Sequence, residues 1–140
     1  MDSNLIQIRR MSMIVHFNNR DPVYLQVIRY FKEQIAKGYL SPGQQIPSRR
    51  ELANQLKINP NTAQRAYKEM EEEGLIFTEG NLPSRITNDE RIIQKVRNEL
   101  ILEAVHTFVE SVRSINVPLD EVIKLVTEHY GNDENQGGSI

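Results

Sequence analysis

The stretch PSRRELANQLKINPNTAQRAYKEM, residues 47–70, holds two helix starts separated by a tight turn. Pro47 sets up the first start. Ser48 and Glu51 form a capping box, in which the serine oxygen and the glutamate each satisfy a free backbone amide, and Leu52, Ala53 and Leu56 give this helix its apolar side. The helix runs to about Lys57, Ile58 packs inward, and Asn59 caps a second helix with Pro60 at its first position. Two short helices joined in this way are a helix-turn-helix.

In the second helix Ala63, Ala66, Tyr67 and Met70 recur at helical spacing, so Asn61, Arg65 and Lys68 lie toward the opposite face, with Thr62 and Gln64 on its flanks. Such a set suits a reader of the major groove. Asn and Gln pair with adenine edges, Arg forks onto guanine, and Thr or Lys holds phosphate. The set clusters in the first turns, where a recognition helix meets bases. A solvated polar face stands as the alternative for this helix taken alone.

The charge is distributed unevenly. The net charge is −2, which by itself opposes nucleic-acid binding. Yet Arg49, Arg50, Lys57, Arg65 and Lys68 fall in one region with only Glu51 against them, and Glu69, Glu71, Glu72 and Glu73 follow directly. This is a local basic surface on an acidic chain.

Upstream, Val23, Val27, Tyr30, Phe31 and Ile35 predict a helix that starts at Pro22 and stops at Gly38; Ile46 can hold a brief strand after the Ser41-Pro42-Gly43 turn. Residues 1–13 read as an N-terminal extension that need not be native, since Met11 and Met13 offer later starts. Downstream, Gly74 ends the second helix. Residues 75–79 then read as a strand that turns at Gly80 and Asn81 and returns through Arg85, Ile86 and Thr87. A hairpin in that place is a wing, with Asn81 and Arg85 available to phosphate or minor groove; an edge hairpin with a stray arginine is the other reading.

From Asn88 a long helix carries Ile92, Val96, Leu100, Ile101, Val105, Phe108, Val109 and Val112, a stripe too broad for one narrow contact. Pro118 starts a second helix with Leu119, Val122, Ile123, Val126 and Tyr130 on one side, and residues 131–140 read as a loose, flexible polar tail. Two helices alone cannot bury so much apolar surface, so a second copy of the chain is expected to pair with them. The expected pairing residues are Val96, Leu100, Val105, Phe108, Val109, Val112, Leu119, Val122, Ile123 and Val126. The expected fold is thus mostly α with a small β-wing: a winged helix-turn-helix over 14–87 and a helical dimerisation segment over 88–130.

Pro47-Ser48-Arg49-Arg50-Glu51-Leu52-Ala53, Ile58-Asn59-Pro60-Asn61-Thr62-Ala63-Gln64-Arg65-Ala66-Tyr67 and Glu73-Gly74-Leu75-Ile76, in that order, resemble the GntR family of bacterial regulators. The Asn59-Pro60-Asn61-Thr62 stretch and the short C-terminal part resemble its YtrA subfamily. The resemblance runs from Val15 to Glu79. It implies a homodimeric winged-helix protein, usually a repressor, often encoded beside transporter genes that it controls. By position it implies DNA contacts from Arg50, Asn61, Thr62, Gln64, Arg65 and Gly80, with Ser48 and Arg49 as backbone contacts nearby; Lys68 and Asn81 join them from the exposed helix face and the wing tip. One departure is the wing, where Leu82, Pro83 and Ser84 follow Gly80 and Asn81, and Pro83 cannot donate to a strand ladder.

Other classes fare worse. The chain has no cysteine and no run of about 18 apolar residues, so disulfides, cysteine-based zinc sites and a membrane span are not expected, and the cytoplasm is the expected compartment. Glu103 and His106 make an acid-x-x-His pair near Glu99 and Glu110, but matching ligands elsewhere are not evident, so neither metal, cofactor nor catalysis is expected. The expected partners are a double-stranded DNA operator and a second copy of the chain. No effector is identified by the sequence. The rival reading is a winged helix that binds protein or structured RNA.

Overall fold

Local caps and a shared core decide where the helices begin and how they pack. The computed structural model describes residues 15–137, with side chains as far as Asn132; the proposed extension over 1–13 and the last three residues lie outside that range. Helix α1 spans Val23–Ala36, α2 Arg49–Leu56 and α3 Pro60–Glu72, followed by strands β1 (Ile76–Phe77) and β2 (Arg85–Ile86), then α4 (Glu90–Arg113) and α5 (Leu119–Gly137). The chain is mostly helical with one small sheet, as the sequence reading holds.

Helix α2 begins where Ser48 Oγ accepts the Glu51 amide at 3.1 Å. Helix α3 begins where Asn59 Oδ1 accepts the Asn61 amide at 2.8 Å, with Pro60 first in the helix. Between them Lys57 takes a left-handed φ of 55°, which ends α2 within one residue and lets the Ile58 amide reach back to the Ala53 carbonyl. The turn is therefore built by local bonds.

The core forms where α1, α2 and α3 meet. Val27, Phe31, Leu52, Ala63, Ala66, Tyr67 and Met70 are all fully buried. Tyr67 is the central piece. Its ring meets Phe31 edge-on at 6.1 Å, and its hydroxyl donates to the carbonyl of buried Pro47, joining α3 to the entry of α2.

The wing is short. β1 and β2 pair antiparallel with Ile76 opposite Ile86 and Phe77 opposite Arg85, and Gln45 adds an isolated bridge to Arg85 in place of a strand at Ile46. Continued, this register would set Glu79 against Pro83, which has no N–H to offer. The ladder stops accordingly. Thr78 and Ser84 instead bridge by their hydroxyls at 2.6 Å, and the tip turns at Gly80, φ +55°, with the Leu82 amide on the Glu79 carbonyl. The sequence reading expects longer strands over 75–79 and 85–87.

Asp89 caps α4: its carboxylate accepts the Arg91 amide at 2.9 Å while its own amide donates to Thr87 Oγ1. Hydrogen bonds from Arg91 hold the Asp89 carboxyl below the usual carboxylate range. The chain divides into two compact units inside α4, at Leu100/Ile101. The first unit therefore extends past Thr87, because Ile92, Ile93, Val96 and Leu100 pack on its core. In the second unit, α4 turns through Asn116, φ +56°, and α5 begins after Pro118, whose carbonyl accepts the Val122 amide. Helix α5 runs on through Gly137, beyond the end at Tyr130 that the sequence suggests, since Gly131 weakens a helix but does not stop one. Among the described residues no helix is long and apolar enough to cross a membrane.

Candidate nucleic-acid interface

Helix α3 is two-sided. Ala63, Ala66, Tyr67 and Met70 are fully buried, whereas Asn61, Gln64, Arg65 and Lys68 are exposed and Thr62 is half-buried. Two amides and two cations thus line one solvent face of a helix whose other face is fixed in the core. An amide can pair with an adenine edge and a guanidinium with guanine or phosphate. Ser48 and Arg50, at the start of α2, and Gly80 and Asn81, at the wing tip, are exposed as well. The α2 entry and the wing together line a pocket of about 490 Å³ that includes Ser48, Arg49, Arg50, Thr78, Asn81 and Ser84.

Two arginines read as contacts are engaged inside the fold. Arg49 donates from Nη2 to Glu71 Oε1 at 2.9 Å, lies 5.8 Å from the Tyr67 ring centroid, and keeps a buried Nε without a hydrogen-bond partner. Glu71 also accepts from Thr78 Oγ1 at 3.0 Å, so α2, α3 and the wing share one polar network. Arg85, expected at the wing surface, instead donates from Nη1 to the Gly43 carbonyl at 2.9 Å, because its strand position aims it at the 41–46 segment.

The acidic run after the exposed face is largely occupied. Glu71 holds Arg49, Glu73 holds Lys32 at 3.1 Å with Glu99 at 3.9 Å, and Glu69 approaches Arg65 Nε at 3.7 Å. Carboxylates neutralised within the fold repel a phosphate backbone less than free ones. Tyr24 belongs to the same surface and escaped the sequence reading. Its hydroxyl accepts from Arg65 Nη2 at 3.0 Å, and the Arg65 guanidinium carbon stands 3.8 Å from its ring centroid. The two residues are 41 apart in sequence, so no local spacing signals the contact.

The residues expected to pair two copies separate into two groups. Val96 is buried in the first unit and Leu100 packs partly against the same core, so Val96 cannot lie on an open pairing face. In the second unit Val105, Phe108, Leu119, Ile123 and Val126 are exposed, Phe108 by 44% and Leu119 by 73%, while Val109, Val112 and Val122 are half-buried. Ile101, Leu102, Ile115, Leu125 and Tyr130 are exposed there too. His106 stands 3.3 Å from Glu110, and among the described residues no group of three or more His, Cys, Asp or Glu is arranged to hold a metal.

Comparison with known proteins agrees with this fold. The family described as bacterial regulatory proteins, gntR family, matches residues 23–86. The HTH-type transcriptional regulator YhcF of Bacillus subtilis is 32% identical over 108 residues, 77% of this chain and 89% of that protein. The HTH-type transcriptional repressor YtrA of the same organism is 51% identical over 57 residues, 41% of this chain and 44% of that protein. Among solved structures, a GntR family transcriptional regulator from Listeria monocytogenes superposes with a TM-score of 0.74 at 30% identity, covering 80% of this chain and 98% of that one.

Proposed function

The chain belongs to the gntR family of bacterial regulatory proteins, within its YtrA subfamily, and from that premise we propose that this DNA-binding transcriptional regulator is a homodimeric repressor. It reads a near-palindromic operator through α3 and works in the cytoplasm, controlling its own operon and transporter genes. The observation that carries the reading is the outward row of Asn61, Gln64, Arg65 and Lys68 on a helix whose opposite side is wholly buried. Asn61, Gln64 and Arg65 read base edges. Thr62, Lys68, Ser48 and Arg50 hold backbone phosphate, with Gly80 and Asn81 approaching from the wing. Arg49 serves from behind, fixing the wing to α3 through Glu71.

The apolar face of the second unit supports the dimer. An isolated pair of helices would leave Phe108, Leu119 and Ile123 in water, and a second copy supplies the same face to cover them. Two recognition helices then enter major grooves about 34 Å apart, or a multiple of that. Repression is supported by the likeness to YtrA, itself a repressor.

The test is a gel-shift titration against DNA from upstream of the protein's own gene, with unrelated DNA as competitor. Binding should survive competitor and weaken steeply with salt. Arg65→Ala should cost about 1–3 kcal/mol if its guanidinium forks onto a guanine. Equal loss on every sequence would reject base reading, and equal weak binding to both DNAs would reject the operator.

A further inference from the structure

We infer that Tyr24, in the first turn of α1, is a positioning residue for base reading: it holds the Arg65 guanidinium in one orientation before DNA arrives, and so sets discrimination at a base it never touches. The inference rests on the reading of α3 as the DNA reader.

A long arginine side chain on an exposed helix face samples many rotamers, and docking must freeze them. Arg65 is restrained beforehand from three directions. Its guanidinium carbon lies 3.8 Å from the Tyr24 ring centroid, well inside the range of about 6 Å over which a cation is attracted to an aromatic face. Its Nη2 donates to the Tyr24 hydroxyl at 3.0 Å, and Glu69 Oε1 stands 3.7 Å from its Nε. The ring is itself held, since Tyr24 is half-buried and packs on the core. Lys68, on the same face, shows no comparable clamp among the described contacts.

The same geometry argues against a latch that hides the arginine. Tyr24 is a neutral acceptor and takes one of five N–H donors, and the Glu69 carboxylate, at 3.7 Å, faces Nε as an ion pair without taking a donor in a hydrogen bond. The Arg65 side chain remains 61% exposed. Arg49 shows the contrast, because there a carboxylate takes Nη2 at 2.9 Å and the side chain is withdrawn to 38% exposure. Arg65 is therefore held exposed with most of its donors available, which is the state in which a bidentate contact forms at least entropic cost.

The experiment uses the full chain and a pool of random-sequence duplexes. Wild type is used to enrich a binding duplex, and single-base variants of that duplex are then titrated by fluorescence anisotropy with wild type, Tyr24→Leu, Tyr24→Phe, Arg65→Ala and the Tyr24→Leu/Arg65→Ala double variant. Tyr24→Leu is expected to lose about five- to tenfold in affinity for the enriched duplex. It should lose discrimination at the base pair where Arg65→Ala loses it and keep discrimination elsewhere. Tyr24→Phe, which keeps the ring, should restore most of that discrimination, and the double variant should bind no worse than Arg65→Ala alone. Equal weakening on every duplex, or additive losses in the double variant, would overturn the role of Tyr24 while leaving α3 as the reader. A pool in which wild type enriches nothing would overturn the reader and the inference together. If Tyr24→Leu fails to fold, the Arg65 Nε–H resonance carries the test. Ring current should displace it upfield in wild type and in Tyr24→Phe, and a resonance at the position of free arginine would overturn the inference.

Discussion

Tyr67→Phe tests how the recognition helix is fixed to the rest of the fold. The substitution removes one oxygen from a fully buried residue and leaves the ring that meets Phe31, so no cavity of consequence forms. What is lost is the hydroxyl bond to the Pro47 carbonyl, inside a region that water does not reach. A buried acceptor deprived of its donor costs about 1–3 kcal/mol, and for a unit of this size each kcal/mol lowers the melting temperature by roughly 4–8 °C. The pH dependence provides a second signature. Burial, helped by the charge of Glu51 and opposed by Arg49, pushes the Tyr67 hydroxyl above the usual tyrosine range. A raised acid favours its neutral form in the fold, so the stability it contributes is intact below about pH 10, where the unfolded residue ionises, and is lost as pH climbs from there toward the folded value. The wild type should therefore lose up to about 1.4 kcal/mol per pH unit above pH 10 that Tyr67→Phe does not lose. Burial also raises Tyr30, which both proteins contain, so its contribution cancels in the difference. Urea unfolding followed by circular dichroism at fixed protein concentration, from pH 7 to 11.5, measures both quantities. A neutral-pH gap under about 0.5 kcal/mol, the ordinary scatter of a surface change, or a gap that stays constant above pH 10, would refute the reasoning.

Three further outcomes are expected. Ser48→Ala should cost about 1 kcal/mol in thermal unfolding through loss of the α2 cap, and Ser48→Asp should largely restore it. Gly43→Ala should destabilise by about 1 kcal/mol or more, because φ is +75° and the new Cβ would stand 2.8 Å from Asn88 Oδ1; Asn88→Ala should relieve the contact but not the backbone cost. Phe108→Glu should convert dimer to monomer in sedimentation equilibrium while the first unit keeps its unfolding transition, and a dimer unchanged at micromolar concentration would remove the second-unit face from the interface.

Features fixed by neighbours in sequence were legible, and features fixed across the fold were not. The starts of α2 and α3 follow from Ser48 and Asn59, which accept amides three and two residues away, and from Pro60, whose fixed φ suits the first helical position, so sequence reading finds them to the residue. The two faces of α3 follow from a period of 3.6, equally local. Arg49, Arg65 and Arg85 look alike in sequence, yet their partners Glu71, Tyr24 and Gly43 lie 22, 41 and 42 residues away. Val96 illustrates the limit of periodicity. It belongs to one apolar run with Val105 and Phe108, yet nine residues put Val105 half a turn round the helix from it and twelve put Phe108 a third of a turn away, and the run does not say which surface covers each side; the core of the first unit claims Val96, while the other two are exposed.

The placement of acid beside the exposed face of α3 follows from the same long-range pairing. Glutamates at the C-terminal end of a helix oppose its dipole, so Glu69, Glu71 and Glu73 gain nothing from α3 itself. Each instead meets a cation: Glu71 holds Arg49 from α2, Glu73 holds Lys32 from α1, and Glu69 stands behind Arg65. The result sorts the basic residues by role. Lys32 and Arg49 spend their charge joining helices, while Arg50, Arg65 and Lys68 keep theirs toward solvent, so a chain of net charge −2 can present a cationic face without basic excess elsewhere. A low overall charge also limits non-specific attraction to DNA, which scales with the number of phosphates neutralised. Discrimination then depends more on how well the few outward side chains are oriented, and that is the reason an aromatic clamp on Arg65 would matter more here than in a strongly basic protein.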